Sequence, residues 1–250
     1  MSEAVDNNAV AEILDRLEGH YGPQQPGWPT DPYEFLVWWH CGYPASDAAC
    51  AKGWDALNRS VGIQPRQILE AGTATLARAL KAGGMVPELR AVRLMEIAAR
   101  VENEFAGDLR AALVGPLSQI RKLLTKFPNI AGPGADRILL FGGIAPVAAV
   151  PSNCPHVLVR ILHGLERENY NLTYSEAQRA IETGVAAKFD LRSRAYLLLK
   201  RHGQELCKRT KPKCEMCPVN SVCAWFAGKN RGRSAPPGGR NREGRRSDTG

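Results

Sequence analysis

The 250-residue sequence has no apolar run approaching the roughly 18–20 residues of a membrane span, which argues against an integral membrane helix. Its opening segment, MSEAVDNNAVAEILDRL, is acidic and amphipathic and lacks the basic and apolar regions of a secretory signal. The expected location is therefore the bacterial cytoplasm. Nothing alternates apolar and polar residues over the length of a strand, so strands are not expected. There is no internal repeat, which excludes a solenoid. Aromatic residues are few, at 7%, beside 44% hydrophobic and 23% charged residues. That balance fits a globular chain and neither a disordered nor a fibrous one.

What is present is positive charge. Lys and Arg number 33 against 25 Asp and Glu, a net charge of +8. Much of the excess lies after Ala227, where Lys229, Arg231, Arg233, Arg240, Arg242, Arg245 and Arg246 face only Glu243 and Asp248. A polyanion is the expected partner, and nucleic acid is the commonest. The Gly/Arg/Pro-rich stretch 227–250 has no apolar pattern and reads as a disordered basic tail.

The rest reads as helix. Val10, Ile13, Leu14 and Leu17 recur at helical spacing from Asn8 to Glu18. Asp31 followed by Pro32 is an N-cap and first helical residue. The helix they open, to Cys41, is apolar on most sides and should be buried. Ser46 and Asp47 open the next, to about Asn58. Short helices are expected at Pro65–Glu70 and Ala74–Lys81, and a long one from Pro87 to Phe105. Further helices are expected at Pro116–Lys126, Gly134–Gly143 and Asn153–His163. Thr173 and Glu176 form a capping box for a helix to Lys188, and Asp190 caps another to Leu206.

The seven cysteines are an odd number, which argues against a disulfide framework. Four of them, Cys207, Cys214, Cys217 and Cys223, cluster closely enough to converge on one centre. Thiolates select zinc or an iron–sulfur cluster, and spacing alone does not choose between them. The spacing, with Pro212 before Cys214 and Pro218 after Cys217, resembles the [4Fe–4S] loop of endonuclease III-like DNA glycosylases of the helix–hairpin–helix superfamily. The resemblance spans roughly Asp31 to Trp225. It implies a [4Fe–4S] cluster with a structural role. It also implies that Lys208, Arg209, Lys211 and Lys213, between the first two cysteines, face DNA phosphates. A solvated charge run is the plainer alternative.

The same family carries a hairpin of the form Leu-Pro-Gly-Val-Gly-x-Lys, whose backbone amides grip a phosphate. The matching residues are Phe127, Pro128, Asn129, Ile130, Ala131, Gly132 and Pro133. Asn129 tolerates a left-handed backbone, Ala131 does so only at a cost, and Gly132 and Gly134 offer a shifted grip. The family lysine, the Schiff-base nucleophile of its lyases, falls on Pro133. Counting the family's 18 residues onward, its catalytic aspartate falls on Pro151, with Ser152 and Asn153 following; a two-residue insertion would put Asn153 at that position instead. Neither proline can do that chemistry. Asp136 matches no family position, and with Arg137 it reads as an exposed helix face. In the loop after the first core helix, Tyr43 either fills a duplex gap or packs on its own helix. Trp38 and Trp39 read as core.

The resemblance implies an all-α, two-lobed helix–hairpin–helix DNA glycosylase fold with an Fe–S cluster loop. The expected divisions are 1–30, an N-terminal helix and linker packing with the cluster lobe, and 31–145, a six-helix lobe with its hairpin at 127–134. A cluster lobe follows at 146–226, with its loop at 207–223, and then the tail. The expected function is binding of double-stranded DNA, damaged or distorted, in repair. The protein would act as a nucleoid-associated monomer that has lost the usual catalytic lysine and aspartate. One rival is an active base-excision glycosylase or lyase using an unaligned carboxylate, or a water held by Asn153 and His156. Another is a redox-responsive Fe–S protein that binds RNA or a protein partner.

Overall fold

A computed structural model describes residues 7–233. Among these there are twelve α-helices and no strand. They are α1 (Asn7–Tyr21), α2 (Pro32–His40), α3 (Asp47–Ser60), α4 (Pro65–Leu80), α5 (Pro87–Phe105) and α6 (Leu109–Ala112). After these come α7 (Leu117–Leu124), α8 (Gly132–Phe141), α9 (His156–His163), α10 (Tyr170–Gly184), α11 (Phe189–Glu205) and α12 (Ala224–Arg233). Among the described residues no helix is long and apolar enough to cross a membrane.

Local chemistry sets several boundaries. Asp31 caps α2 by accepting from the backbone N–H groups of Tyr33 and Glu34. Ser46 caps α3 through Ala49 N–H. Gly72, at φ +70°, breaks α4 into the two short helices read from the sequence. Several boundaries differ from the sequence reading, among them the start of α9 at His156 rather than Asn153. Helix α10 opens at Tyr170 because Asn169 Oδ1 accepts from Leu172 N–H at 3.0 Å. Thr173 is therefore buried inside the helix and caps nothing. Helix α11 begins at Phe189, so Asp190 lies in its first turn. Helix α12 runs through Arg233, so residues 227–233 are helical, contrary to the expected start of the tail. Residues 234–250 lie outside the described ones.

Two apolar cores form. The first gathers α2 to α8, with Trp38, Leu57, Leu94, Ile97 and Leu139 fully buried. The second joins Val10, Ile13, Leu14 and Leu17 of α1 to α9, α10 and α11. The segment between α8 and α9 serves both. Val147 and Ala149 pack into the first core, while Ala148 and Val150 pack into the second. Helix α11 is shared likewise, with Tyr196 and Leu197 in one core and Leu198 and Leu199 in the other. Arg192 donates to Pro146 O at 2.7 Å and fixes that shared segment to α11.

Candidate functional site

A cleft runs between the two cores. It consists of two adjoining cavities that share Trp39, Tyr43, Arg137, Ser152 and Tyr196 in their walls. The cleft's first cavity has a volume of about 510 Å³ and its second about 630 Å³. The residues between α7 and α8 form one side of it. Asn129 adopts φ +55°, the left-handed conformation expected where the family hairpin carries glycine. In the amide orientation that its neighbours require, its oxygen accepts from Arg93 Nη1 at 2.8 Å and Nε at 3.2 Å. Ala131 is extended (φ −95°, ψ −177°) and acts as N-cap, so the strain expected there does not arise. Helix α8 consequently starts at Gly132, two residues earlier than the sequence indicated. Asn129, Ala131 and Gly132 are exposed, and Gly134 is half-buried. The first N–H groups of a helix have no intrahelical partner, so this tip presents free amides and a positive helix end.

The reading of Asp136 and Arg137 as an exposed face is overturned. Asp136 is 4% exposed and Arg137 6%. The Asp136 carboxylate accepts from Arg121 Nε at 2.7 Å and from Gln178 Nε2 at 3.0 Å. Gln178 also donates to Ala148 O at 3.1 Å, which ties α8, α10 and the shared segment together. Burial pushes the Asp136 carboxyl above its usual range, with Arg121 opposing. Arg137 lies among aromatic rings, with Cζ 3.8 Å from the Trp28 ring centroid and 4.8 Å from that of Phe35.

The remaining cleft residues are placed as follows. Tyr43 stacks on Trp39, with centroids 4.6 Å apart and 28° between planes, so it packs on its own helix while lining the cleft. Pro133 lines the cleft, whereas Pro151 is buried and the next two residues, Ser152 and Asn153, are exposed at the cleft wall. His156 lies elsewhere: it is buried, and its Nε2 meets Cys207 O at 2.8 Å. It cannot hold a water in the cleft with Asn153.

The cysteine segment closes the second core. Cys207, Cys214, Cys217 and Cys223 all line one cavity, together with Arg160 and His202. Among the described residues no three His, Cys, Asp or Glu side chains converge as a site for a single metal ion. Four soft thiol donors around one cavity fit the donor chemistry of an iron–sulfur cluster. Burial raises the Cys207 thiol to about 12, with Arg160 opposing. Arg160, which sequence reasoning did not single out, organises this segment. Its Nη1 donates to Lys208 O and its Nη2 to Arg209 O, each at 3.0 Å. It also pairs with Glu166 and lies over the Trp225 ring at 4.5 Å. The backbone is thus pinned from below while the side chains of Lys208, Arg209, Lys211 and Lys213 are exposed.

No family model matches the chain. Endonuclease III of Rickettsia conorii is 27% identical over 172 residues, covering 65% of this chain and 70% of that protein. A trapped endonuclease III–DNA covalent intermediate superposes with a TM-score of 0.72 at 16% identity, over 91% of this chain and all of the other. A thermostable thymine-DNA glycosylase gives 0.68 at 20% identity, over 89% and 98%. The fold is that of the endonuclease III-like, helix–hairpin–helix DNA glycosylases.

Proposed function

We propose that this chain, endonuclease III-like in sequence and fold, binds double-stranded DNA across the cleft as a repair protein without the family's base-excision chemistry. What supports the reading is an exposed amide-rich hairpin tip, together with prolines at the two positions that the resemblance assigns to the family's lysine and aspartate. The free N–H groups at Gly132 and Gly134 and the positive end of α8 would receive one backbone phosphate. Lys208, Arg209, Lys211 and Lys213, on a backbone fixed by Arg160, would neutralise others and make the affinity fall with salt. Distorted or damaged DNA is the expected preference, because such sites cost less to open.

Pro133 has no amine for a Schiff base, and Pro151 has no carboxylate to assist base departure. The two carboxylates on the cleft wall are already engaged, Asp136 by Arg121 and Asp47 by Lys200 at 2.7 Å. That disfavours a relocated acid. Cys207, Cys214, Cys217 and Cys223 would hold a [4Fe–4S] cluster, which would supply a fixed anchor for the loop rather than a reacting group. We further expect a monomer, and a tail that adds only non-specific affinity.

The test is duplex binding and base release measured on one cluster-loaded preparation. Salt-dependent duplex binding without base release, and without borohydride trapping on abasic DNA, is expected. Robust base release from a panel of damaged duplexes would overturn the reading. Binding to RNA or to protein in preference to duplex DNA would overturn it in favour of a redox-responsive partner.

A further inference from the structure

Arg137 is nine-tenths buried, and among the described residues no acceptor reaches its guanidinium. Its Nε and Nη2 are enclosed without a hydrogen-bond partner. The cage around it is aromatic, with Trp28, Phe35 and Trp39 at 3.8, 4.8 and 5.6 Å from Cζ. Cation–π contact returns only part of what desolvating a cation costs, so the cage alone does not offset its burial. The neighbouring charges do not complete it. Asp136 is turned to Arg121 and Gln178, and Lys200 is neutralised by Asp47. Arg137 also forms part of the wall where the two cavities of the cleft meet. Its Nη1 is outside the enclosed pair of nitrogens.

We propose that Arg137 donates a hydrogen bond to the keto oxygen of a nucleobase extruded into this cleft, and so selects keto-bearing bases. The inference rests on the DNA-binding reading above. A guanidinium has only donors, and a keto oxygen only accepts. An exocyclic amine in the same place would set donor against donor. The aromatic walls suit a flat ring, and the first cavity's volume of about 510 Å³ falls within the roughly 300–1,000 Å³ of ordinary ligand pockets. A phosphate would need several donors, and one unenclosed nitrogen does not supply them.

The test compares two duplexes that differ only in one base, hypoxanthine or purine, each opposite a tetrahydrofuran abasic analogue so that neither base is paired. Hypoxanthine carries one keto oxygen and purine none. Affinities of the cluster-loaded, full-length protein are read by fluorescence anisotropy. The wild type should bind the hypoxanthine duplex about tenfold more tightly, the scale of one hydrogen bond from a charged donor. In Arg137→Met the ratio should fall close to one. Lys211→Ala should weaken binding to both duplexes and preserve the ratio. A wild-type ratio near one overturns the inference, as does a tenfold ratio that survives in Arg137→Met. Should that variant not fold, the wild-type ratio decides alone, because only the ligand changes. Failure of the wild type to bind either duplex overturns the DNA-binding reading itself, and the inference with it.

Discussion

Arg121 at the end of α7 and Asp136 in the second turn of α8 meet at 2.7 Å across the hairpin, with the carboxylate almost wholly buried and the guanidinium partly solvated. The pair holds the two helices of the hairpin at a fixed separation, and Gln178 extends the tie to α10. Burial, with Glu182 adding to it, raises the Asp136 carboxyl, while Arg121 and Gln178 lower it. Removing Arg121 must raise it further.

Arg121→Gln should therefore destabilise the fold by about 1–3 kcal/mol at neutral pH, less than a fully buried pair because Arg121 is partly solvated. The sign of its pH dependence follows from linkage. A carboxyl raised in the folded state favours the folded protein below the unfolded value of about 4 and disfavours it above. The variant's deficit should be small in acid and grow as the pH rises through the carboxyl range. Urea midpoints at a series of pH values check this. A deficit independent of pH would mean that Arg121 does not act on the Asp136 charge.

The hairpin tip makes a second prediction. Asn129 sits at φ +55° and accepts two hydrogen bonds from Arg93. Asn129→Ala should lose both and force alanine into a conformation that costs about 1–2 kcal/mol. Asn129→Gly loses the bonds but relaxes the backbone. Thermal melting should rank wild type above glycine and glycine above alanine. Duplex affinity should fall most in the alanine variant, because the amides at Gly132 and Gly134 would no longer be held in place.

Arg160 gives a third. Arg160→Leu would leave the Lys208 and Arg209 carbonyls without their donor, at about 1–3 kcal/mol. At about 2–4 °C per kcal/mol for a chain of this size, Tm should drop by several degrees. Protein purified anaerobically should be brown, with about four irons per chain. Both the iron content and the salt slope of duplex binding should fall in the variant. Cys214→Ser should lose iron, and a colourless native protein with stoichiometric zinc would refute the cluster.

Some of this was legible in the sequence and some was not, for one physical reason. Features set by neighbouring residues were readable. Asp31 and Pro32 open α2, Pro87 opens α5, and Phe105 ends it. Cysteine spacing likewise pointed to a common centre, and all four line one cavity. Features set by distant partners were not. Asp136 and Arg137 are adjacent opposite charges, which locally describe a solvated face. Partners brought in by the fold, such as Gln178, 42 residues on, and the Trp28 ring, make them interior. Thr173 matches a capping box, but Asn169 nucleates the helix first. The role of Arg160 in the cysteine segment carried no local signal, because the carbonyls it holds there are nearly fifty positions away. The gathering of Trp28, Phe35, Trp38 and Trp39 in and before α2 was the one local signal of an aromatic cage.

The last prediction concerns restoring chemistry. Pro133 occupies the second position of α8 and lines the cleft, so Pro133→Lys adds an amine there without breaking a helical hydrogen bond. A lysine at a helix N-terminus costs only about 0.3–1 kcal/mol. Its amine can condense with the aldehyde of an abasic sugar, releasing water, and borohydride then reduces the imine to a stable amine. The wild type should give no trapped complex and Pro133→Lys a measurable one. Base release asks for more. Pro151 is buried, so Pro151→Asp alone places a carboxylate where desolvation would raise it above its usual range. General acid–base help contributes factors of about 10²–10⁴, so the double variant should exceed either single change in base release, even if activity stays low. If Pro133→Lys folds, binds abasic duplex and still cannot be trapped, the lysine position has been assigned to the wrong residue. Trapping by the unaltered protein would locate a nucleophile elsewhere on the cleft and return the chain to the active enzymes.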